Sequence, residues 1–455
     1  MKKTIAKRLL VTSTIFFIST HCEASEEMSL LDYSLNNASI FPAKDLCKTH
    51  FQVNDTPVRN AEAFRVIDHE FDKIHNRITF FDDNNNSIVV GSIDNVTGDL
   101  VEGETLVIDR PKTMGLEPIT TYPLVPVGNG PEWGADQTRG SVIYYTKQDR
   151  YDPRNIFLTR AYQPDNIDSG AYFNPMAPWV IEEVPNSRGR YCAIASQEPD
   201  DLHAWIGYVK TTQGTDSEYH IDIAWSHDAP FKEDRPVDGI DLSNMTGGSP
   251  ARKIPGRLEI AAIMLRDGQP QIARYNLEND EPVYISDYPA CETAEDPDCQ
   301  SVELNSVSVV AVPSQGPDAF VIYGIVNNNY IDPYFMADDS SDPVRLAQIR
   351  PELPSGSATQ YIIDEENFID EDGNPYLVFS MGTEPKNGSP GDIWIASPFA
   401  TTPCGYRKVT ADYAGDPTRK YDLDPLTLQG VDTFVYYQEL DDSMNSVLRK
   451  AATGL

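Results

Sequence analysis

The stretch LEIAAIMLRDGQPQIARY at residues 258–275 decides the fold, because it has the pattern of a β-hairpin. Two apolar runs flank Asp267-Gly268, a residue pair typical of the tight turn between antiparallel strands. The same alternation of apolar runs and turn residues predicts six further hairpins. Their paired runs are residues 78–81 with 88–90, 141–146 with 155–159, 190–195 with 204–209, 319–323 with 330–335, 375–380 with 391–396 and 433–437 with 446–449. Helical periodicity is almost absent, so we expect an all-β protein.

The hairpins recur at intervals of roughly 45–65 residues, near the period of one blade of a β-propeller. Each unit exposes sheet edges and faces that it cannot cover alone, and stacking the units in a ring buries them. We therefore predict a single β-propeller over residues 61–455, with seven four-stranded blades favoured and five or six left open. Residues 25–60 are expected to pack on the ring or to help close it.

The first 24 residues have the pattern of a secretory signal peptide. Basic residues open the segment, an apolar run follows, and Cys22-Glu23-Ala24 offers small residues before a cleavage point. We expect cleavage near Ala24 and a secreted or periplasmic protein; Cys22 leaves lipidation as a less favoured alternative. The apolar run is too short to span a bilayer, and no later segment has the length of a membrane helix.

The composition is strongly acidic, with 70 Asp and Glu against 36 Lys and Arg and a net charge of −34. Such a surface repels nucleic acid and anionic lipid, so no nucleic-acid partner is expected. It also argues against a substrate recognised mainly through its own negative charge. The same charge would serve solubility alone in an exported protein.

Cys291 and Cys299 flank a short acidic loop and are predicted to form a local disulfide in an oxidising compartment. The pairing of Cys47, Cys192 and Cys404 is left open, although a Cys47–Cys404 bond would tie the N-terminal segment to the C-terminal part. The cysteines and histidines show no zinc-binding spacing, so no metal ligands are predicted.

The segment Asp82-x-Asn84-x-Asn86 resembles the start of a calcium loop but lacks its glycine and its distant glutamate. A solvated turn is the favoured interpretation, and a structural calcium ion is left open. No cofactor is expected to be required. His69 and His75, beside Asp68 and Asp72, are interpreted as polar residues at strand ends.

No nucleophile elbow, metalloprotease motif or phosphate loop is present. Several acids do precede predicted strands, among them Asp136 in Trp133-Gly-Ala-Asp136 and Glu183 in Glu183-Val-Pro185. These segments resemble the Trp-Ala-Pro-Asp and Glu-(Ala/Gly)-Pro segments of the five-bladed glycoside hydrolases of family 43, which carry a further Asp in the first blade.

The resemblance implies a glycoside hydrolase that places carboxylates at the propeller channel. Glu183 would be the general acid, Asp136 the carboxylate that tunes its pKa, and Asp68, or less favourably Asp72, the base that activates water. Inverting enzymes of this kind hold acid and base about 6.5–9.5 Å apart. Aromatic and basic side chains are suited to sugar binding, so Trp133, Arg274 and Tyr275 are candidate substrate contacts.

Two alternatives remain open at the level of sequence. A seven-bladed polysaccharide lyase would need a histidine or tyrosine base and a cation, for which His203, His220, Tyr275 and Arg274 are candidates. A non-enzymatic propeller would bind a protein or a glycan, and Gly391-Asp-Ile-Trp-Ile-Ala396 is similar to a strand of TolB-type blades, which bind protein partners. Whether the chain is an enzyme is left open, with a hydrolase favoured over a lyase; substrate, linkage and oligomeric state are not predicted.

Overall fold

The computed structural model describes most of the chain beyond residue 50. The described residues are 46, 51–73, 75–110, 132–136, 140–148, 156–162, 179–189, 193–196, 204–211, 217–224, 235–243, 249–289, 302–338, 341–351, 360–385, 391–400, 403–410, 419–440 and 446–455. The predicted signal peptide lies outside them.

The described strands form seven antiparallel sheets of four strands each. Sheet 1 consists of Val66–Asp72, Arg77–Asp82, Ser87–Ile93 and Leu100–Asp109. Sheet 2 consists of Glu132–Asp136, Gly140–Gln148, Ile156–Tyr162 and Val180–Gly189. Sheet 3 consists of Ala193–Ser196, Ala204–Thr211, Ser217–Ala224 and Arg235–Val237. Sheet 4 consists of Ala251–Lys253, Glu259–Arg266, Gln269–Asn276 and Glu281–Tyr284.

The remaining three sheets follow in chain order, except for one strand. Sheet 5 consists of Leu304–Ala311, Phe320–Val326, Tyr330–Met336 and Val344–Arg345. Sheet 6 consists of Tyr361–Ile369, Pro375–Gly382, Gly391–Ala396 and Tyr406–Lys408. Sheet 7 consists of Arg419–Leu428, Asp432–Leu440, Ser446–Ala452 and the N-terminal strand Asp55–Pro57. The helical segments of the described chain are the two short 3₁₀ turns Pro313–Gln315 and Pro403–Gly405.

The first strand of each sheet, called its inner strand, contacts the inner strands of the two neighbouring sheets. These contacts run from sheet 1 through sheet 7 and return to sheet 1, so the inner strands form a closed ring. A ring of radially arranged four-stranded sheets is a β-propeller. The predicted all-β propeller fold is therefore confirmed.

Apolar side chains fill the space between neighbouring sheets. In the second strand of sheet 5, Val321, Tyr323 and Ile325 pack towards sheet 6, while Phe320 and Ile322 pack in the cluster shared with sheet 4. Because side chains alternate along a strand and both faces are covered, the strand is apolar at nearly every position. This arrangement explains why the sequence shows continuous apolar runs rather than a polar–apolar alternation.

The strand Asp55–Pro57 closes the ring by pairing antiparallel with Ser446–Ala452. The buried Asp55 carboxylate accepts hydrogen bonds from the Tyr437 hydroxyl at 2.5 Å and from Arg449 Nε at 3.0 Å. Sheet 7 is thus built from both ends of the described chain, and an ion pair holds the two ends together.

All seven predicted hairpins are present, one in each sheet. In the hairpin at residues 258–275, Asp267 and Gly268 both have positive φ values, 54° and 82°. A two-residue turn that follows the right-handed twist of its strands requires this conformation at both positions. The local turn chemistry was therefore sufficient to locate the hairpin.

Candidate active site

Three neighbouring inner strands carry the same short pattern, an Asp followed two residues later by a second acid. The pairs are Asp68 with Glu70 in sheet 1, Asp364 with Glu366 in sheet 6, and Asp422 with Asp424 in sheet 7. Residues two apart on a strand lie on the same face. Since sheets 6, 7 and 1 are consecutive in the ring, the pairs meet, and with Glu365 they form what we call the acid cluster.

A β-bulge interrupts each of these inner strands at the start of the acid pattern. Ile67 and Asp68 lie opposite a single residue of the next strand, and so do Asp422 and Leu423. In sheet 6 the extra residue is Ile363, directly before Asp364. Bulges bend a strand and redirect its side chains. At the bulge in sheet 7, Asp422 has a left-handed φ of 58°, which is uncommon for any residue other than glycine.

His69 connects sheet 1 to sheet 7 within the acid cluster. Its Nδ1 lies 2.7 Å from Asp422 Oδ2, and its backbone N–H donates to the same oxygen at 2.9 Å. Gln438 Nε2 donates to that oxygen as well, at 2.5 Å. The His69 side chain is completely buried. Its interpretation as an ordinary polar residue at a strand end is wrong, because the packing of sheet 1 against sheet 7 encloses it.

Two carboxyl groups beside His69 have raised pKa values. Burial, with the charges of Asp422 and Asp424, raises the pKa of Asp68 well above its usual range. Burial also raises the pKa of Asp424, to which the charges of Glu70 and Asp422 contribute. This part of the acid cluster therefore has more carboxyl groups than nearby positive charges can compensate.

The sheet 6 acids form the other part of the acid cluster. Burial, then the charges of Asp422 and Glu366, raises the pKa of Asp364 to about 7. Burial and the charge of Glu366 likewise raise the pKa of Glu365 to about 8. Glu366 has a different environment, because its Oε1 accepts a hydrogen bond of 2.8 Å from the guanidinium of Arg252 on the inner strand of sheet 4.

Asp364 and Glu366 thus combine a carboxyl group that keeps its proton near neutral pH with a carboxylate in an ion pair. Both residues are partly exposed, whereas Glu365 between them is buried. Two positions on one face of a strand are about 6.6 Å apart. Neighbouring acids whose environments favour opposite protonation states are the arrangement that general acid–base catalysis uses.

The three acids implied by the glycosidase resemblance do not share one location. Asp68 lies in the acid cluster, on the inner strand of sheet 1. Asp136 ends the inner strand of sheet 2, and its side chain is outside the described part of the structure. Glu183 lies on the fourth strand of sheet 2, at the opposite edge from the inner strand, and is exposed. The segment before the inner strand of sheet 3 is therefore the outer strand of sheet 2.

The candidate substrate contacts are also dispersed. Trp133 belongs to the inner strand of sheet 2, with a side chain outside the described part. Arg274 and Tyr275 lie on the third strand of sheet 4. Arg274 Nε is 3.5 Å from Glu259 Oε2, and the buried Tyr275 donates to Asp280 Oδ1 at 3.0 Å. These contacts are within sheet 4 and away from the acid cluster.

The predicted disulfide between Cys291 and Cys299 lies outside the described residues. Cys404 is disulfide-bonded. The backbone N–H of Leu46 donates to the Cys404 carbonyl oxygen at 2.9 Å.

The Asp82 turn, considered as a calcium loop, uses its carboxylate for internal hydrogen bonds. Its Oδ1 accepts from the backbone N–H groups of Arg65 and Asn84, and its Oδ2 accepts from Asn85 Nδ2. The carboxylate is thus hydrogen-bonded by two residues of the turn and by Arg65.

Sequence reasoning missed the acids of sheets 6 and 7. The signal that could have found them is the recurrence of Asp-x-(Asp/Glu) at residues 68–70, 364–366 and 422–424. Each copy lies one strand before a predicted hairpin, which is the inner position of a propeller sheet. Reading the three copies together would have placed them side by side in a seven-sheet ring.

Comparison with known proteins identifies no family for the chain. No protein-family model and no curated protein matches the chain. Among solved structures, it is similar to the Swd1 β-propeller domain of Myceliophteria thermophila Cps50, with 7% identity, a TM-score of 0.48, and coverage of 88% of this chain and 100% of that one. It is similar to Trypanosoma rangeli sialidase with the inhibitor DANA, with 11% identity, a TM-score of 0.36, and coverage of 70% and 54%. It is also similar to TolB from Acinetobacter baumannii, with 12% identity, a TM-score of 0.33, and coverage of 70% and 64%.

The chain spans about half of the length of that sialidase. A β-propeller fold by itself does not select a function. No helix within the described residues is long and apolar enough to cross a membrane.

Proposed function

We propose that this protein is a glycan-active hydrolase that uses Asp364 as general acid and Glu366 as general base. The observation that carries the proposal is the placement of these two residues on one face of an inner strand with opposite electrostatic environments. Glycoside hydrolysis with inversion needs one protonated and one ionised carboxyl group about 6.5–9.5 Å apart. The Cα atoms of two such positions on a strand are about 6.6 Å apart, and extended side chains on that face can hold their carboxyl groups at such a separation.

In this reaction Asp364 donates its proton to the oxygen of the glycosidic bond as the bond to the anomeric carbon breaks. Glu366 accepts a proton from a water molecule, whose oxygen forms the new bond on the opposite face of the sugar ring. The Arg252 guanidinium stabilises Glu366 as a carboxylate before it accepts the proton. The net charge of −34 favours a neutral glycan over an anionic one.

The test is a screen of neutral plant and algal polysaccharides, read by the release of reducing ends. A parallel screen uses acidic, uronate-containing polysaccharides. Absorbance from unsaturated uronates in that screen would instead indicate a lyase. Asp364→Asn and Glu366→Gln are expected to lower kcat/KM by about 10²–10⁴-fold, the usual contribution of a general acid or base. Activity should fall as the pH rises above about 7, since Asp364 then loses its proton.

Glu183→Gln is the matched control, because Glu183 is an exposed acid on the outer strand of sheet 2. It should leave turnover unchanged, whereas the glycosidase resemblance assigns it the general acid. If Glu183→Gln lost activity and Asp364→Asn retained it, the general acid would be Glu183 and not Asp364. Binding of a glycan without release of reducing ends would make the protein a binding module.

Export belongs to the same proposal. The basic and apolar segments before Ala24 support a secreted or periplasmic protein. N-terminal sequencing of the protein recovered from the medium or periplasm should begin at Ser25; recovery of the intact N-terminus from the cytoplasm would contradict it.

A further inference from the structure

The two ring nitrogens of His69 have different environments. Nδ1 faces Asp422 Oδ2 at 2.7 Å, and that oxygen already accepts the His69 backbone N–H and Gln438 Nε2. Since the oxygen acts only as an acceptor, Nδ1 carries the ring proton of neutral His69. Asp422 therefore fixes both the tautomer and the orientation of the imidazole.

This tautomer leaves a lone pair on Nε2. Nε2 is buried and has no hydrogen-bond partner within the described structure, and the whole side chain is 0% exposed. The Asp424 Oδ2 atom lies 3.9 Å from Nε2, beyond hydrogen-bond distance. A nitrogen lone pair and a carboxylate oxygen thus face each other in a buried space, which is unfavourable unless a positive charge lies between them.

We propose that His69 Nε2 and the Asp424 carboxylate bind a divalent transition-metal ion. An ion about 2.1 Å from each ligand atom can bridge a nitrogen and an oxygen up to about 4.2 Å apart, so the 3.9 Å separation accommodates it. The cluster formed by His69, Asp422 and Asp424 has ligand atoms within 4.8 Å of one another. A histidine that binds a metal ion in a protein commonly donates its other ring N–H to a carboxylate. Asp422 is the carboxylate that accepts from His69 Nδ1 here.

The ligand set indicates which ions would bind. One imidazole nitrogen with carboxylate oxygens suits Zn²⁺ or Mn²⁺, whereas Ca²⁺ and Mg²⁺ prefer oxygen ligands alone. The ion would also compensate the excess of carboxyl groups next to sheets 7 and 1. This inference uses neither Asp364 nor Glu366, so it stands independently of the proposed hydrolysis.

The experiment is calorimetric titration of the full chain, dialysed against EDTA, with Zn²⁺, Mn²⁺, Ca²⁺ and Mg²⁺. We expect one equivalent of Zn²⁺ or Mn²⁺ to bind and to raise Tm, with weaker binding of Ca²⁺ and Mg²⁺. His69→Gln and Asp424→Asn should each lower the affinity at least 10–100-fold, the loss seen even for residues that only orient a ligand. His75→Gln is the matched control, because His75 Nδ1 lies 2.7 Å from Asp72 Oδ2 outside the acid cluster.

A second measurement does not depend on the variants folding. Binding of Co²⁺ to the unmodified protein should give a visible d–d spectrum with one imidazole ligand in X-ray absorption, and Zn²⁺ should displace it. The proposal is overturned if neither Zn²⁺ nor Mn²⁺ binds stoichiometrically, or if His75→Gln lowers the affinity as much as His69→Gln does. A Co²⁺ complex without an imidazole ligand would overturn it as well.

Discussion

The hydroxyl of Tyr436 donates a hydrogen bond of 2.6 Å to the carbonyl oxygen of Gly98, 338 residues earlier in the chain. This bond joins sheet 7 to the turn before the last strand of sheet 1, where Gly98 has a φ of 69°. A Cβ atom at Gly98 would lie 2.9 Å from the Tyr436 hydroxyl and 3.2 Å from the Phe434 ring. Glycine is therefore required here by both backbone conformation and space.

Gly98→Ala should lower the free energy of unfolding by about 2–4 kcal/mol, which combines left-handed strain with overpacking. Urea unfolding measures the change. Gly103→Ala is the matched control, since Gly103 has a φ of 79° but no atom within 4 Å of its added Cβ. Equal losses in the two variants would show that the contact with Tyr436 contributes nothing.

Asp55→Ala should destabilise the protein by about 1–3 kcal/mol, because it removes the buried carboxylate that accepts hydrogen bonds from Arg449 and from the Tyr437 hydroxyl, while Arg449 keeps its ion pair with Glu439. Thr56→Ala on the same strand, with an exposed side chain, should change the free energy of unfolding by less than about 0.5 kcal/mol. Thermal and urea unfolding provide the comparison. If Asp55→Ala and Thr56→Ala were equally stable, the backbone pairing alone, and not the Asp55 carboxylate, would hold the ring closed.

Glu365→Gln should raise Tm at pH 8 and leave it nearly unchanged at pH 4. The unfolded chain releases the Glu365 proton near the ordinary value of 4.5, whereas the folded protein holds it until about pH 8. The stabilisation from this proton is present in full below pH 4.5 and is lost as the pH rises through 8, by at most about 1.4 kcal/mol per pH unit. The groups facing Glu365 are Glu366, Arg252, Asp364 and the hydroxyl of Ser306.

Scanning calorimetry at half-unit pH steps follows this difference. Glutamine does not titrate. The Tm of Glu365→Gln minus the Tm of the wild type should therefore increase steadily between pH 4.5 and pH 8. A difference that stays constant with pH would contradict the raised pKa of Glu365.

Asp422→Ala should cost more stability than Asp422→Asn. Both variants remove the charge that holds His69 and Gln438, but asparagine tolerates the left-handed φ of 58° better than alanine does. The expected difference in the free energy of unfolding is about 1–2 kcal/mol, measured by urea unfolding. Equal costs would mean that the bulge relaxes when Asp422 is replaced.

The hairpins could be predicted from the sequence because their determinants are local. Asp267-Gly268 fixes its turn by backbone conformation alone, and the apolar runs around it follow from burial on both faces. Assignment of strands to inner and outer positions was harder. Val180–Gly189 and Ala193–Ser196 are separated by only a short connection, yet they end one sheet and begin the next. Nothing in the local pattern at Glu183 distinguishes these positions.

The candidate site was predicted only in part, because its contacts are not local. Asp68 was named as a candidate base, and it does lie in the acid cluster. Its neighbour Asp422 is 353 residues from His69, and the two meet only when sheet 7 packs against sheet 1. The raised pKa values of the acid cluster arise from burial, which a short motif does not reveal. The repeated Asp-x-acid pattern was visible in the sequence but needed the ring order for its interpretation.

The pairing of Asp55–Pro57 with Ser446–Ala452 has a consequence for the order in which the molecule assembles. Arg449 and Asp55 are 394 residues apart, and joining the ends of a free loop of that length costs about 5 kcal/mol in entropy. Successive stacking of sheets spreads this cost over many small steps, each bringing the two ends nearer. The first strand of the described chain can take its place only after the last one has been synthesised. The ring can therefore close only after all seven sheets have been synthesised.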